Sequence, residues 1–177
     1  KASIRVTDLN RKEEIQALLE ASDSPLSPSG LVKEQGHFAG HDLFAKGAIT
    51  IQDESSQLVA PTLNLQGDER VLDACAAPGG KTAHIASYLT TGQVTALDLY
   101  DHKLDLIQEN AQRLGVADRV QRQKLDARKV HEFFGQDSFD KILVDAPCSG
   151  IGLLRRKPDI KYNKETADFA SLQEIQL

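Results

Sequence analysis

From about Gln66 onward, short apolar runs alternate with stretches of helical period. Arg70-Val-Leu-Asp-Ala74 and Gln93-Val-Thr-Ala-Leu-Asp98 read as short buried strands, and Arg119–Leu125 and Phe139–Asp145 read as a third and a fourth. Helices are predicted between them over Lys81–Leu89 and from Asp101, the expected cap. The second helix carries Leu104, Ile107, Ala111 and Leu114 on one face and ends at Gly115. A helical turn follows around Lys129–Phe134. Strands that alternate with helices imply parallel βαβ units joined by right-handed crossovers, here the first half of a doubly wound sheet.

The first 50 residues follow a different pattern and are expected to form a small α+β appendage, with residues 51–177 forming the main domain. Ala2–Val6 reads as a strand. Asn10 with Glu13 reads as a capping box opening a helix, and Ile15, Leu18 and Leu19 give that helix an apolar face. Ser24–Gly30 is rich in turn formers and is expected to be a linker. Short strands and loops follow, punctuated by Gly36, Gly40 and Gly47.

Composition narrows the class. Of 177 residues, 40% are hydrophobic and 27% charged, which excludes a disordered chain. No apolar run can cross a membrane, and the N-terminus has no signal-peptide layout. There is no methionine, and Ser171–Leu177 stop within a helical pattern, so the chain is expected to be a piece of a longer protein. The two cysteines, Cys75 and Cys148, lie in no CxxC pattern. Neither a disulfide framework nor a metal site is expected, and the compartment is expected to be cytoplasmic. A net charge of -5 argues against a generally basic nucleic-acid binder. Two local basic clusters remain. Arg119, Arg122, Lys124, Arg128 and Lys129 read as an ordinary polar face. Arg155, Arg156, Lys157, Lys161 and Lys164 read either as phosphate contacts or as a solvated loop.

Ligands of doubly wound sheets sit at the carboxyl ends of the strands. Each predicted strand ends there in an acid: Asp73, Asp98, Asp126 and Asp145. The first strand runs into Cys75-Ala76-Ala77-Pro78-Gly79-Gly80-Lys81-Thr82. Gly80-Lys81-Thr82 matches the end of a phosphate-binding loop, but Cys75 stands where that loop needs its first glycine. The dinucleotide fingerprint is absent too. The glycines still let backbone approach a ligand closely, and an acid at Asp98 suits ribose hydroxyls. Adenosine without pyrophosphate fits, which points to S-adenosylmethionine; a plain strand-to-helix connection is the alternative. In Asp145-Ala-Pro-Cys148-Ser a thiol follows a proline at a strand end. A thiolate there could add to carbon 6 of a pyrimidine and make carbon 5 nucleophilic toward a sulfonium methyl, with Asp145 at the pyrimidine N3 edge. For Cys75 a packing role is expected.

Asp73-Ala-Cys-Ala-Ala-Pro-Gly-Gly-Lys-Thr82 and Asp145-Ala-Pro-Cys-Ser-Gly150 together resemble the RNA cytosine-5 methyltransferases of the NOL1/NOP2/Sun group. Gln52-Asp-Glu-Ser-Ser56 resembles the family's Gln-Asp-x-Ser-Ser element. Arg5-Val6-Thr7 departs slightly from its Arg-Val-Asn, and Ile151–Lys161 looks most like the branch acting on bacterial 16S ribosomal RNA. The resemblance implies a Rossmann-like, S-adenosylmethionine-dependent methyltransferase domain, α/β in class, with about four of seven strands present. It implies that Cys75–Lys81 wraps the cofactor, Asp98 binds its ribose, Asp126 lies near the adenine and Asp145 lies near cofactor and target base. It implies that Cys148 helps release the product, the nucleophile being a second cysteine beyond this chain. The implied function is methylation of C5 of a cytosine in 16S ribosomal RNA, with RNA as partner and neither membrane nor metal; the oligomeric state is left open. A tRNA cytosine-5 methyltransferase, a small-molecule methyltransferase and a non-catalytic RNA-binding protein on the same fold are the alternatives. The fourth strand is expected to be an exposed edge.

Overall fold

The computed structural model describes residues 1–148 and 166–176. They fall into two units, Lys1–Leu143 and Val144–Leu177. Within the second, α8 spans Thr166–Gln176.

The first unit opens with β1 (Ala2–Val6), α1 (Lys12–Leu19), β2 (Ser22–Asp23), β3 (Gly30–Lys33), α2 (Asp42–Ala45) and β4 (Ile49–Ile51). These strands form an antiparallel sheet in the order β2-β3-β1-β4. Alternation places Ile4 and Val6 against Ile15, Leu19, Leu31 and Ile49 in a small core. Three local expectations change. The side chain of Asp8, not Asn10, caps the chain entry by accepting from the Asn10 amide, so the helix starts at Lys12 after a 3-10 turn. Leu18 is 62% exposed, because a two-turn helix presents only the Ile15–Leu19 pair, four residues apart, to the sheet. Ser24–Ser29 is no linker: it connects the paired strands β2 and β3, with the Ser24 hydroxyl accepting from the Ser27 amide.

Two of the elements compared with the family, those at Arg5 and Gln52, meet in this unit. Arg5 is buried and its Nε donates to Gln52 Oε1 at 2.7 Å. Gln57, in the same segment, donates to Ser3 Oγ and to the Gln52 carbonyl. The short helices α3 (Glu54–Gln57) and α4 (Val59–Thr62) then lead into the second sheet.

That sheet is built from β5 (Arg70–Asp73), α5 (Gly80–Ser87), β6 (Gln93–Asp98), α6 (Asp101–Arg113), β7 (Val120–Lys124), α7 (Val130–Phe133) and β8 (Lys141–Leu143). All pairings are parallel, in the order β7-β6-β5-β8. Chain order therefore moves outward from β5 to β7 and then jumps to the other side of β5, which creates a switch point at β5. Val71, Val94 and Ala96 pack with Ile85, Leu89, Leu104, Ile107 and Ala111 in one core. Tyr100 rather than Asp101 occupies the cap position of α6, and no side-chain cap bond forms there. Gly115, at φ +71, ends the α6 segment as its left-handed conformation requires. The fourth strand is shorter than predicted. It pairs with β5 alone among the described strands, and its Ile142 is 57% exposed. The surrounding charges and exposed positions give it the edge character expected of it.

Candidate functional site

The chain leaving β5 lies across the switch point and is stitched to both neighbouring strands. The Ala74 amide donates to the Leu143 carbonyl at 2.9 Å, and the Ala76 amide to the Leu97 carbonyl at 3.0 Å. A tight turn follows, closed by the Gly79 amide on the Ala76 carbonyl at 2.8 Å. Asn110 Nδ2, from α6, donates to the Pro78 carbonyl at 2.7 Å.

The two glycines of the turn do different jobs. Gly79 has φ +100, and a Cβ there would sit 3.0 Å from the Ile107 Cα. Its lack of a side chain serves the protein's own packing. Gly80 opens α5, and a Cβ on it would meet nothing within 4 Å. Among the described residues no packing contact calls for a glycine at that position, which faces open space. Around it Cys75, Ala77 and Lys81 are half-buried and Pro78 is exposed, whereas Ala76 is buried. Cys75 thus has surface on the loop as well as packing beneath it.

Thr82 has a role that sequence reasoning missed when it weighed Gly80-Lys81-Thr82 as the end of a phosphate loop. Its hydroxyl donates to Asp73 Oδ2 at 2.7 Å, with both residues buried. The bond ties the end of β5 to the first turn of α5 and sets the span of the loop between them. The repeated strand-end acids were the available signal, but they marked Asp73 as a ligand group rather than as an anchor.

Asp98 closes β6 one residue beyond the Leu97 carbonyl that holds Ala76. Its Oδ1 accepts from the Tyr100 amide at 3.3 Å, and its side chain is partly exposed. Its Oδ2 takes no hydrogen bond among the described residues. Leu99 and Tyr100, directly after it, are 48% and 53% exposed and offer apolar surface beside the acid. Large apolar residues just past a strand-end acid were a readable signal for this surface.

Asp126 follows β7 and is committed within the protein. It caps the turn Ala127–Lys129 through the Arg128 amide and also binds the Arg128 guanidinium. These bonds, the guanidinium first, pull its carboxyl down to about 2. Three more residues of this basic cluster are paired with carboxylates. Arg119 meets Asp118, Arg122 meets Asp105 at 3.3 Å, and Lys124 meets Asp101 at 2.6 Å. A polar groove of about 610 Å³ runs between α6 and β7 past Asp105 and Arg122, and none of the candidate residues lines it. The polar-face reading of the cluster fits this mutual neutralisation.

Asp145 and Cys148 lie in the second unit, and both are exposed. Ser149 and Gly150 of their motif, the Ile151–Lys161 run and the basic residues Arg155, Arg156, Lys157, Lys161 and Lys164 lie outside the described residues. No group of three or more candidate metal ligands occurs among the described residues, and no helix there is long and apolar enough to cross a membrane.

Buried charge sits beneath α5. Burial pushes the Arg5 guanidinium down to about 10. Burial, and secondly the charge of Arg5, push His84 down to about 3. The His84 imidazole is therefore neutral at physiological pH, its ring tilted against that of Tyr88 at a centroid distance of 5.5 Å.

A sequence profile described as 16S rRNA methyltransferase RsmB/F matches residues 60–177. The chain is 51% identical, over 160 residues, to the probable ribosomal RNA small subunit methyltransferase B of Bacillus subtilis (strain 168), covering 90% of this chain and 36% of that protein. It is 39% identical, over 171 residues, to the ribosomal RNA small subunit methyltransferase B of Vibrio cholerae, covering 93% of this chain and 39% of that protein. The chain thus spans a little over a third of the length of these curated relatives. Among solved structures, the crystal structure of PH0851 matches with a TM-score of 0.90 at 30% identity, covering 99% of this chain and 41% of that one.

Proposed function

Because the chain belongs to the RsmB/F family of 16S rRNA methyltransferases, we propose that it carries the S-adenosylmethionine-binding part of an enzyme that methylates C5 of a cytosine in 16S ribosomal RNA. The observation that supports this most is the open cradle at Gly80, set in a loop stitched one residue away from Asp98. A nucleoside with free ribose hydroxyls suits that pairing. Asp98 would hold the hydroxyls, and the loop from Cys75 to Lys81 would hold the rest of the cofactor with its backbone. Leu99 and Tyr100 supply apolar surface next to the ribose site. Asp126 borders the adenine end, its turn held rigid by Arg128.

When bound, S-adenosylmethionine supplies an electrophilic methyl group on a sulfonium. Cytosine C5 is too weak a nucleophile to take it until a cysteine thiolate has added to C6. Loss of the C5 proton and expulsion of the thiolate then restore the ring. In this proposal Asp145 contacts the target base, Cys148 assists product release, and the attacking thiol is a cysteine other than Cys75 and Cys148.

Calorimetric titration with S-adenosylhomocysteine tests the cofactor half, with wild type expected to bind and Asp98→Ala to lose at least tenfold in affinity, roughly the worth of a charge-assisted hydrogen bond. Incubating the complete enzyme with unmodified 16S ribosomal RNA and labelled cofactor tests the rest. Label is expected at cytosine C5, and Cys148→Ser is expected to accumulate a covalent RNA adduct. Label on another position or only on a small molecule, or no adduct, would refute the assignment.

A further inference from the structure

The cofactor loop is held from the side by a relay that begins in the antiparallel sheet. Arg113, the last residue of α6, donates through Nη1 to the carbonyls of Phe44 at 2.9 Å and Ile49 at 3.2 Å. Its Nη2 donates to Thr50 Oγ1 and to Asn110 Oδ1, each at 3.1 Å. The guanidinium also lies 3.8 Å from the centre of the Phe44 ring. Backbone contact reinforces the junction. A Cβ at Gly47, φ +72, would sit 2.0 Å from the Arg113 carbonyl oxygen, so only glycine permits this approach.

Asn110 is the next link. An amide has one accepting end and one donating end. Arg113 can only donate, so it draws Oδ1 toward itself and leaves Nδ2 facing the other way. There it meets the Pro78 carbonyl at 2.7 Å, immediately before the two glycines of the turn. The reversed amide would set N–H against N–H at one end and carbonyl against carbonyl at the other. Arg113 therefore decides which end of Asn110 the loop receives.

We propose that Asn110 and Arg113 are positioning residues through which the docked antiparallel sheet sets the conformation of the cofactor loop, and with it the affinity for cofactor. The inference rests on the cofactor reading of the loop given above. It makes the sheet a tuning element, because any partner that shifts Phe44–Thr50 against α6 changes the hold on Pro78.

Titration of the protein with S-adenosylhomocysteine, alongside thermal unfolding, tests the relay. Asn110→Asp keeps an oxygen for Arg113 but presents an acceptor to the Pro78 carbonyl. Its dissociation constant is expected to rise roughly tenfold at a temperature where the protein stays folded. Arg113→Lys keeps the charge but loses the planar fork, and is expected to raise it about threefold. In the double variant Arg113→Lys is expected to add no further loss of affinity, while still lowering the melting temperature. If Asn110→Asp does not fold, Asn110→Ser takes its place, and amide exchange across residues 74–81 is expected to quicken while β6 stays protected. Unchanged affinity in the Asn110 variant, or independent multiplication of the two effects, overturns the inference alone. Failure of the wild type to bind S-adenosylhomocysteine overturns the cofactor reading and the relay with it.

Discussion

Gly79→Ala and Gly80→Ala add the same methyl group to adjacent residues and are expected to act in opposite ways. At Gly79 the backbone is left-handed, and the new Cβ would lie 3.0 Å from the Ile107 Cα. Left-handed strain costs about 1–2 kcal/mol, and a backbone contact that tight adds to it, for a total of about 2–3 kcal/mol. For a chain of this size that lowers the melting temperature by roughly 5–10 °C. At Gly80 the new Cβ meets open space in a helical first turn. Removing glycine from a helix gains up to about 1 kcal/mol, so the melting temperature holds or rises slightly. The same methyl group then stands where the cofactor is proposed to approach. Overpacking of about 1–3 kcal/mol corresponds to a loss of affinity of roughly 5- to 150-fold. Scanning fluorimetry and calorimetric titration with S-adenosylhomocysteine read the two effects separately. A Gly80→Ala protein that melts and binds like wild type would refute the reasoning, since the cradle would then serve no ligand. Equal destabilisation by both variants would refute the different packing assigned to the two glycines.

The Thr82→Val variant leaves the buried Asp73 carboxylate without its hydroxyl donor; urea denaturation is expected to show a loss of roughly 1.5–3 kcal/mol. His84 supplies an acid-sensitive term. Its folded pKa, about 3, lies below the ordinary value of 6.5 because of burial and then Arg5, so below 6.5 the unfolded chain binds the extra proton. Its stabilising contribution is full above about pH 6.5 and is lost as pH falls toward 3, and a His84→Gln variant melted across that range should show a flatter acid limb, whereas an unchanged slope would place the dependence elsewhere. Saturating S-adenosylhomocysteine is expected to slow alkylation of the half-buried Cys75 severalfold while the exposed Cys148 continues to react; mass spectrometry of the two peptides would show equal Cys75 rates with and without ligand if the loop does not wrap it.

How far the fold was legible depended on whether its causes were local. β5 and β6 are covered on both faces, so their apolar runs stand out from polar neighbours, and β6 spans Gln93–Asp98 as read from the chain. Gly115 stops the helix before it because its conformation is written in its residue type. Leu18 failed because periodicity cannot say how wide a face the sheet will cover. The relay was not legible at all. Asn110 and Arg113 sit among the polar residues of an amphipathic helix, and their partners Pro78 and Phe44–Thr50 are far away in the chain. Arg5 was hidden likewise, as its burial depends on Gln52 from another strand connection.

An acid at every strand end looked like one repeated ligand motif, but the partners of these acids separate them. Asp73 is buried and receives the hydroxyl of Thr82, so it holds the loop's two ends together. Asp126 receives an amide and a guanidinium, which hold its carboxyl down at about 2, so its charge is already spent on Arg128. Asp98 receives a single amide on one oxygen and keeps a partly exposed carboxylate beside the loop. A hydroxyl-bearing ligand competes poorly for a carboxylate that a guanidinium already grips in two places, because it would replace charge-assisted bonds with a weaker one. It competes well at Asp98, whose Oδ2 accepts no hydrogen bond among the described residues. Availability therefore favours Asp98, the last residue of β6, over Asp73 and Asp126 as the proposed ribose acceptor.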